Sequence, residues 1–348
     1  MRQKERFQPS LRNDWRMHWR RGRVKSNISA SHSNKGSSGF MDGILDRNGQ
    51  AVKLSIISSA GQSRDITSAA EFKQLLGGIK SNLPRILARA AATGNIRAIA
   101  TLGKIFVKKY ALNKKYDERH ELLNTAFDIS SVRVERNGKS VTFTQGGFLL
   151  FALIDEIFVK NQYDVSAEKI NGKVVVDAGA NLGTFSLLCA TLGAKKVYAF
   201  EPVAGTYEML KKNVEDNGLQ DVVIPVNKAL GEGNYTAKIK CDYSGDGGSS
   251  IAMRKDERKD TLDISVVSLD SFFASGERVD FIKMDVEGFE ENALTGAKST
   301  ISKFKPAMSL SAYHKPTDKE AIPRLILGMR PDYNIVLNNF YEEDFYCD

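Results

Sequence analysis

The chain reads as an α/β fold, a doubly wound parallel sheet, and three observations carry that expectation. From residue 173 onward, short apolar runs alternate with segments of helical spacing. The first run, Val174, Val175 and Val176, is β-branched throughout, as in strands covered on both faces. It ends in Asp177, and a turn of little side-chain bulk follows at Gly179, Asn181 and Gly183 before the next helix.

The elements follow in order. Residues 185–192 have helical spacing and stop at Gly193. Residues 196–200 form the second strand, closed by Glu201-Pro202. Residues 207–217 form a helix with Asn217-Gly218 at its end. The third strand, 222–226, leads into Asn227, Lys228 and Ala229. The fourth, 279–284, ends in Asp285-Val286-Glu287-Gly288, with a helix at 290–296. The fifth, 307–313, ends at His314. A helix at 322–327 and strands at 334–337 and 340–346 follow. Upstream, 145–160 reads as one apolar helix with Phe148, Phe151, Ile154 and Phe158.

With 348 residues there is room for one large domain and a smaller one. The net charge of +8 is concentrated, because residues 1–40 hold ten Lys/Arg against two Asp/Glu and the remainder is neutral. The three cysteines, Cys189, Cys241 and Cys347, show no metal-ligand spacing. That argues against structural zinc, leaves no metal expected, and fits a reducing, cytoplasmic setting. No run approaches eighteen apolar residues, so no membrane span is expected, and the basic N-terminus lacks the apolar core of a secretory signal.

Three regions are expected: a tail at 1–40, a mostly helical region at 41–145 and the α/β domain at 146–348. The tail cannot bury a core and is expected to be disordered. Trp15 and Trp19 are interleaved with Arg12, Arg16 and Arg20, which suits a nucleic acid or an anionic membrane; a solvated tail is the plainer alternative. In 41–145, helical spacing recurs at 68–79, 83–92 and 95–110. A strand is expected at 51–57, and a hairpin over 132–144 around Asn137-Gly138. A helical bundle packed on the α/β domain is the bland reading, a dedicated binding module the other.

In a doubly wound sheet, ligands sit beyond the carboxyl ends of the strands. The candidate site is therefore Asp177, Glu201, Asn227, Asp285, Glu287 and His314. Glu201, at the tip of the second strand, is placed to accept hydrogen bonds from ribose hydroxyls. A dinucleotide turn reads G-x-G-x-x-G, whereas this one is Asp-x-Gly-x-Asn-x-Gly. An acid at the strand end repels a pyrophosphate and suits a cationic amino acid, so S-adenosylmethionine is favoured over NAD. Methyl transfer from a sulfonium then needs an acceptor held in line and, for a hydroxyl, a base. His314 is the candidate base, with a structural histidine as the alternative. Lys283, Asp285 and Glu287 alternate at period two and are expected to face one way. The Gly/Ser-rich stretch around Gly245–Ser250 is a lid or an ordinary surface loop.

The residues resemble the FkbM family of S-adenosylmethionine-dependent methyltransferases over about 155–347. The resemblance rests on Val176-Asp177-Ala178-Gly179-Ala180-Asn181-Leu182-Gly183, Ala199-Phe200-Glu201-Pro202, Asn227-Lys228-Ala229-Leu230-Gly231, Gly248-Ser249-Ser250-Ile251 and Leu269-Asp270. Its more specific marks are Phe281-Ile282-Lys283-Met284-Asp285-Val286-Glu287-Gly288-Phe289-Glu290 and Tyr313-His314. It implies a class I methyltransferase (Rossmann-like) seven-stranded sheet with an antiparallel last strand. It also implies O-methylation of a hydroxyl on a sugar, glycan or small metabolite. By the same resemblance Asp177, Gly179, Asn181 and Gly183 hold the cofactor's amino acid, Glu201 its ribose, and Asn227 to Ala229 flank its adenine. Residues 1–150 lie outside it. Two other functions remain open: an RNA ribose methyltransferase recruited by the basic tail, and a non-catalytic assembly protein that keeps the cofactor site.

Overall fold

The computed structural model describes residues 5–6, 44–73, 129–146, 150–241, 249–250 and 261–348. In chain order, β1 (Glu5–Arg6) is a two-residue strand within the segment expected to be wholly disordered. Then come β2 (Ile44–Leu45), β3 (Ala51–Ile57), β4 (Ser63–Ile66), β5 (Ser131–Arg136) and β6 (Lys139–Phe143). They form one five-stranded antiparallel sheet in the order β2-β3-β5-β6, with β4 pairing the later half of β3 on the edge that β2 shares, opposite β5. The described part of residues 41–145 is chiefly sheet. The expected strand and the Asn137-Gly138 hairpin are both present, and both residues of that turn have positive φ. Residues 69–73 are helical, while the segments at 83–92 and 95–110 lie outside the described residues, as do Trp15, Trp19 and the stretch from Gly245 to Gly248.

The sheet buries one face. Val52, Leu54 and Ile56 alternate inward on β3 and meet Val132 and Val134 of β5 and Phe143 of β6. Helix α1 (Leu150–Ile154) passes directly into a π-helical turn, Asp155–Val159, rather than running on as one α-helix. Helix α2 (Ala167–Ile170) leads into the main sheet.

That sheet is built from β7 (Val174–Ala178), α3 (Thr184–Thr191), β8 (Lys196–Phe200), α4 (Ala204–Asp216) and β9 (Val223–Val226). A second, small sheet interrupts it: β10 (Ala229–Leu230), β11 (Tyr235–Cys241), β12 (Ser249–Ser250) and β13 (Thr261–Val267), in the order β10-β13-β11-β12. The β11–β13 hairpin was not expected, because Gly, Ser and charged residues dominate the stretch between its strands. The main fold resumes with α5 (Leu269–Phe272), β14 (Phe281–Met284), α6 (Glu290–Thr295), α7 (Lys298–Phe304), β15 (Ala307–Ser311), α8 (Asp318–Met329), β16 (Ile335–Asn339) and β17 (Glu343–Cys347).

Across the main sheet the order is β9-β8-β7-β14-β15-β17-β16-β1. Strands β9, β8, β7, β14 and β15 are parallel, and β17 runs antiparallel to both neighbours. Seven strands thus give the expected doubly wound arrangement with a reversed last strand. Glu5–Arg6 adds an eighth by pairing with Val336 and Leu337. One face of this sheet shares a continuous core with the N-terminal sheet, in which Val175, Val197 and Phe281 join Val52, Val134, Phe143 and Phe158. The other face packs α6, α7 and α8 against Val176, Ile282, Met284 and Leu310.

Polar ties fix the N-terminal sheet to the main one. The Asn213 amide on α4 is fully buried, accepts from Thr144 N and Gln145 N at 3.0 Å each, and donates to Leu182 O at 3.0 Å. Arg47 pairs with Asp164, its guanidinium 3.4 Å from the centre of the Phe340 ring. Asn213→Ala leaves two buried N–H groups and one carbonyl without partners. Urea unfolding is expected to show a loss of roughly 3 kcal/mol.

Candidate functional site

The sheet order reverses between β7 and β14, so a crevice opens beyond their carboxyl ends. Two loops line it, one after β7 and one after β14, and a buried ion pair joins their bases. Lys283 Nζ lies 3.1 Å from Asp177 Oδ1 and donates to Gly179 O at 2.7 Å and Ala178 O at 3.3 Å. Ser186 Oγ donates to the other Asp177 oxygen at 2.6 Å. Asp177 is 0% exposed and Lys283 4%. Burial opposes the lysine charge, but Asp177 and Asp285 outweigh it and hold the ammonium above its ordinary pKa. Both groups work beneath the turn, supporting it from below.

The two glycines of the turn face protein as well. Gly179 has φ +77°, and a Cβ there would sit 1.9 Å from Asp285 O. Gly183 has φ +85°, and its Cβ would meet Leu210 on α4 at 2.5 Å. The missing side chains let the turn press against the β14 loop and α4. Between them Asn181, also left-handed at φ +50°, donates its N–H to Glu201 Oε2 at 3.0 Å. Val203 N donates to Glu201 Oε1 at 2.9 Å. Glu201 is therefore pinned at the tip of β8, each oxygen taking one backbone N–H. Burial raises its pKa, the two N–H bonds oppose that, and the net value is about 7. Asn227 turns its amide back to Glu201 O at 2.9 Å and Pro202 O at 3.1 Å. Ala229 lies in β10 and packs in the small sheet's core with Val203 and Val266.

On the other side, β14 ends at Met284, and the expectation that Lys283, Asp285 and Glu287 face one way along a strand fails. Glu287 and Gly288 are left-handed, at φ +55° and +92°, so the chain curls immediately. It curls around Glu290, a fully buried carboxylate at the start of α6. Glu290 Oε1 accepts from Val286 N at 3.1 Å and Gly288 N at 3.2 Å, and His314 Nδ1 lies 2.9 Å away. His314 Nε2 is 3.5 Å from Asp285 Oδ1 and 3.6 Å from Glu287 Oε2. Burial disfavours the charged ring, yet the Glu290 bond and the charges of Asp285 and Glu287 raise its pKa to about 9. The imidazole is therefore a cation at neutral pH, set among three carboxylates.

Behind Asp285 stands Tyr163, whose hydroxyl donates to Asp285 Oδ2 at 2.8 Å and lies 3.2 Å from Glu156 Oε1. The Tyr163 ring stands edge-on to Phe185, with centroids 5.4 Å apart. One Asp285, Glu290 and His314 atom each lie within 4.8 Å of one another, a spacing that a cation could bridge; the imidazolium already supplies positive charge there.

Of the residues read from sequence, the structure gathers Asp177, Gly179, Asn181, Gly183, Glu201, Lys283, Asp285, Glu287 and His314 around one crevice. It sets Asn227 and Ala229 at its edge. Glu290, Tyr163 and Glu156 are further members that the sequence reading left out. Glu290 had a signal, as the last acid of the Lys-x-Asp-x-Glu-Gly-x-Glu block. Tyr163 and Glu156 had none, since only the fold brings them to β14.

Residues 177–343 match the family model for the methyltransferase FkbM domain. The hexuronic acid methyltransferase AglP of Haloferax volcanii is 25% identical over 174 residues, 49% of this chain and 68% of the relative. Methyltransferase sdnD of Sordaria araneosa is 30% identical over 172 residues, 40% of this chain and 66% of the relative. The crystal structure of a methyltransferase FkbM from Methylobacillus flagellatus is 22% identical, with a TM-score of 0.40, covering 58% of this chain and 54% of that one. The matches thus span about two thirds of the two curated relatives and about half of the solved chain.

Lys283→Met strands a buried carboxylate and is expected to cost about 3–5 kcal/mol in urea unfolding. The Asp177→Asn/Lys283→Met double variant should recover part of that loss. His314 titrates near 6.5 when unfolded and about 9 when folded. Its stabilisation is complete below pH 6.5, declines as the pH rises, and is lost above 9. The difference in unfolding free energy between the protein and His314→Asn, read from urea titrations, is therefore expected to shrink steadily across that window, from roughly 3 kcal/mol.

Proposed function

We propose that this chain, whose residues 177–343 form an FkbM methyltransferase domain, uses S-adenosylmethionine to O-methylate a hydroxyl on a sugar, glycan or small metabolite. The observation that carries the reading is Glu201, fixed at the tip of β8 by Asn181 N and Val203 N, across the crevice from the Asp285–His314 array. Each Glu201 oxygen keeps a lone pair beyond the one its backbone N–H uses, which fits a pair of ribose hydroxyls. The first N–H groups of α3 have no partner within the helix, which fits the cofactor's carboxylate. S-adenosylmethionine, when bound, supplies an activated methyl group on a sulfonium.

The chain's own groups then have to hold an acceptor in line and take a proton. As the acceptor oxygen bonds to carbon and the carbon–sulfur bond breaks, the hydroxyl proton must leave. His314, the base candidate from sequence, carries its own proton below about pH 9, so Asp285 is the better recipient. Its Oδ1 faces His314 Nε2 and the Tyr313 hydroxyl, each at 3.5 Å. His314, held by Glu290, orients that carboxylate and balances its charge. A sugar acceptor is supported by the hexuronic acid methyltransferase among the relatives. An RNA acceptor would rest on the basic tail, and the rest of the chain is neutral. Among the described residues no helix is long and apolar enough to cross a membrane.

Calorimetric titration with S-adenosylmethionine, S-adenosylhomocysteine and NAD tests the reading. The first two are expected to bind and NAD not to. Glu201→Gln should weaken S-adenosylmethionine binding about 10–100-fold, as expected when charge-assisted hydrogen bonds are lost. The wild-type affinity should fall as the pH drops below about 7, where Glu201 takes up a proton. Equal affinity in the variant and the parent would remove the ribose role.

A further inference from the structure

The π-helical turn Asp155–Val159 is an unusual element to find in the wall of a site, and it has a local consequence. Glu156 lies in this turn, next to the Tyr163 hydroxyl. Glu156 Oε1, Tyr163 Oη and Asp285 Oδ2 then form a row, with separations of 3.2 and 2.8 Å. Two hydrogen bonds along three oxygens need two protons. Tyr163 is 2% exposed and supplies one, since burial and the neighbouring carboxylates keep its hydroxyl protonated.

We infer that Glu156 and Tyr163 are a positioning pair for Asp285, with Glu156 holding the second proton so that Tyr163 donates wholly to Asp285 and leaves its Oδ1 turned to the acceptor. The inference rests on the methyltransferase reading for what Asp285 does, but the row of oxygens stands without it. The groups that face Glu156 decide which carboxyl is protonated. Lys283 approaches from β14 and Asp285 from the loop that follows it, Tyr163 from the loop after the π-turn, Tyr313 from beyond β15, and Tyr341 and Glu342 from the turn between β16 and β17. Burial and the Asp285 charge raise the Glu156 pKa to about 8; Lys283 and the Tyr163 bond lower it less, and Glu342 adds to the rise. Asp285 Oδ1 has the His314 ring beside it at 3.5 Å, a neighbour that Glu156 lacks. Once Glu156 ionises, the row has one proton for two bonds, and Tyr163 is shared between two anions.

Carbon-13 NMR of the full chain, labelled at the Asp and Glu carboxyl carbons, tests this. Asp285→Asn and Glu156→Gln assign the two signals. In the wild type one glutamate should titrate with a midpoint near pH 8, and the Asp285 signal should move at the same midpoint. In Glu156→Gln, which keeps a donor at that position, the Asp285 step near pH 8 should vanish. In Tyr163→Phe, Glu156 should still titrate and the Asp285 step should shrink at least twofold. An Asp285 signal with no step near pH 8 in the wild type, or the same step in Glu156→Gln, overturns the inference. S-adenosylmethionine binding is measured on the same samples. Its absence in the wild type would sink the methyltransferase reading alone, and the carboxyl titration would still decide the pair.

Discussion

The arrangement depends on one buried ion pair, Lys283 with Asp177, at the point where the sheet reverses its order. A charge removed from water is costly, and the cost is contained only when every hydrogen-bonding direction is met. Here Ser186 donates to one Asp177 oxygen, the Lys283 ammonium faces the other, and two carbonyls of the β7 turn accept from the ammonium. The pair therefore does more than join two strands. It fixes the path of the Gly179 turn, which lies against Asp285 so closely that no side chain fits between them. Displacing one loop displaces the other, and the crevice is as rigid as the pair beneath it.

The acidic half of the site follows from the same economy of charge. The loop after β14 wraps Glu290 Oε1 in two N–H groups and an imidazole, which offsets much of the cost of burying that carboxylate. The imidazole is in turn kept charged by Glu290, Asp285 and Glu287. Such an array resists rearrangement, because moving any member leaves a neighbour unpaired.

The N-terminal sheet belongs to this design and is not an appendage. Its buried face shares a core with the main sheet, and Asn213 ties its last strand to the Gly183 turn through a single amide. The π-turn that presents Glu156 lies in the segment that joins the two sheets. The region outside the recognised family domain thus reaches the site through packing and through Tyr163.

The sequence by itself determined the alternation of strands and helices, the ends of β7, β8 and β14, and the list of acids that gather there. Period and punctuation are local, so Val174 to Val176, the Gly-rich turn and the Asn137-Gly138 hairpin were legible from a few residues each. Only the tertiary structure shows how those groups pair. Asp177 and Lys283 are buried against each other, a contact that their spacing along the chain does not encode. His314 looked like a base, and three carboxylates make it a cation. The hairpin of β11 and β13 has no local signature because its strands are joined through a charged, Gly/Ser-rich composition that carries no periodic signal. Glu156 and Tyr163 stand more than a hundred residues before Asp285. Proton placement among them depends on distances of about 3 Å that no spacing along the chain encodes, because charge and burial are properties of the folded neighbourhood.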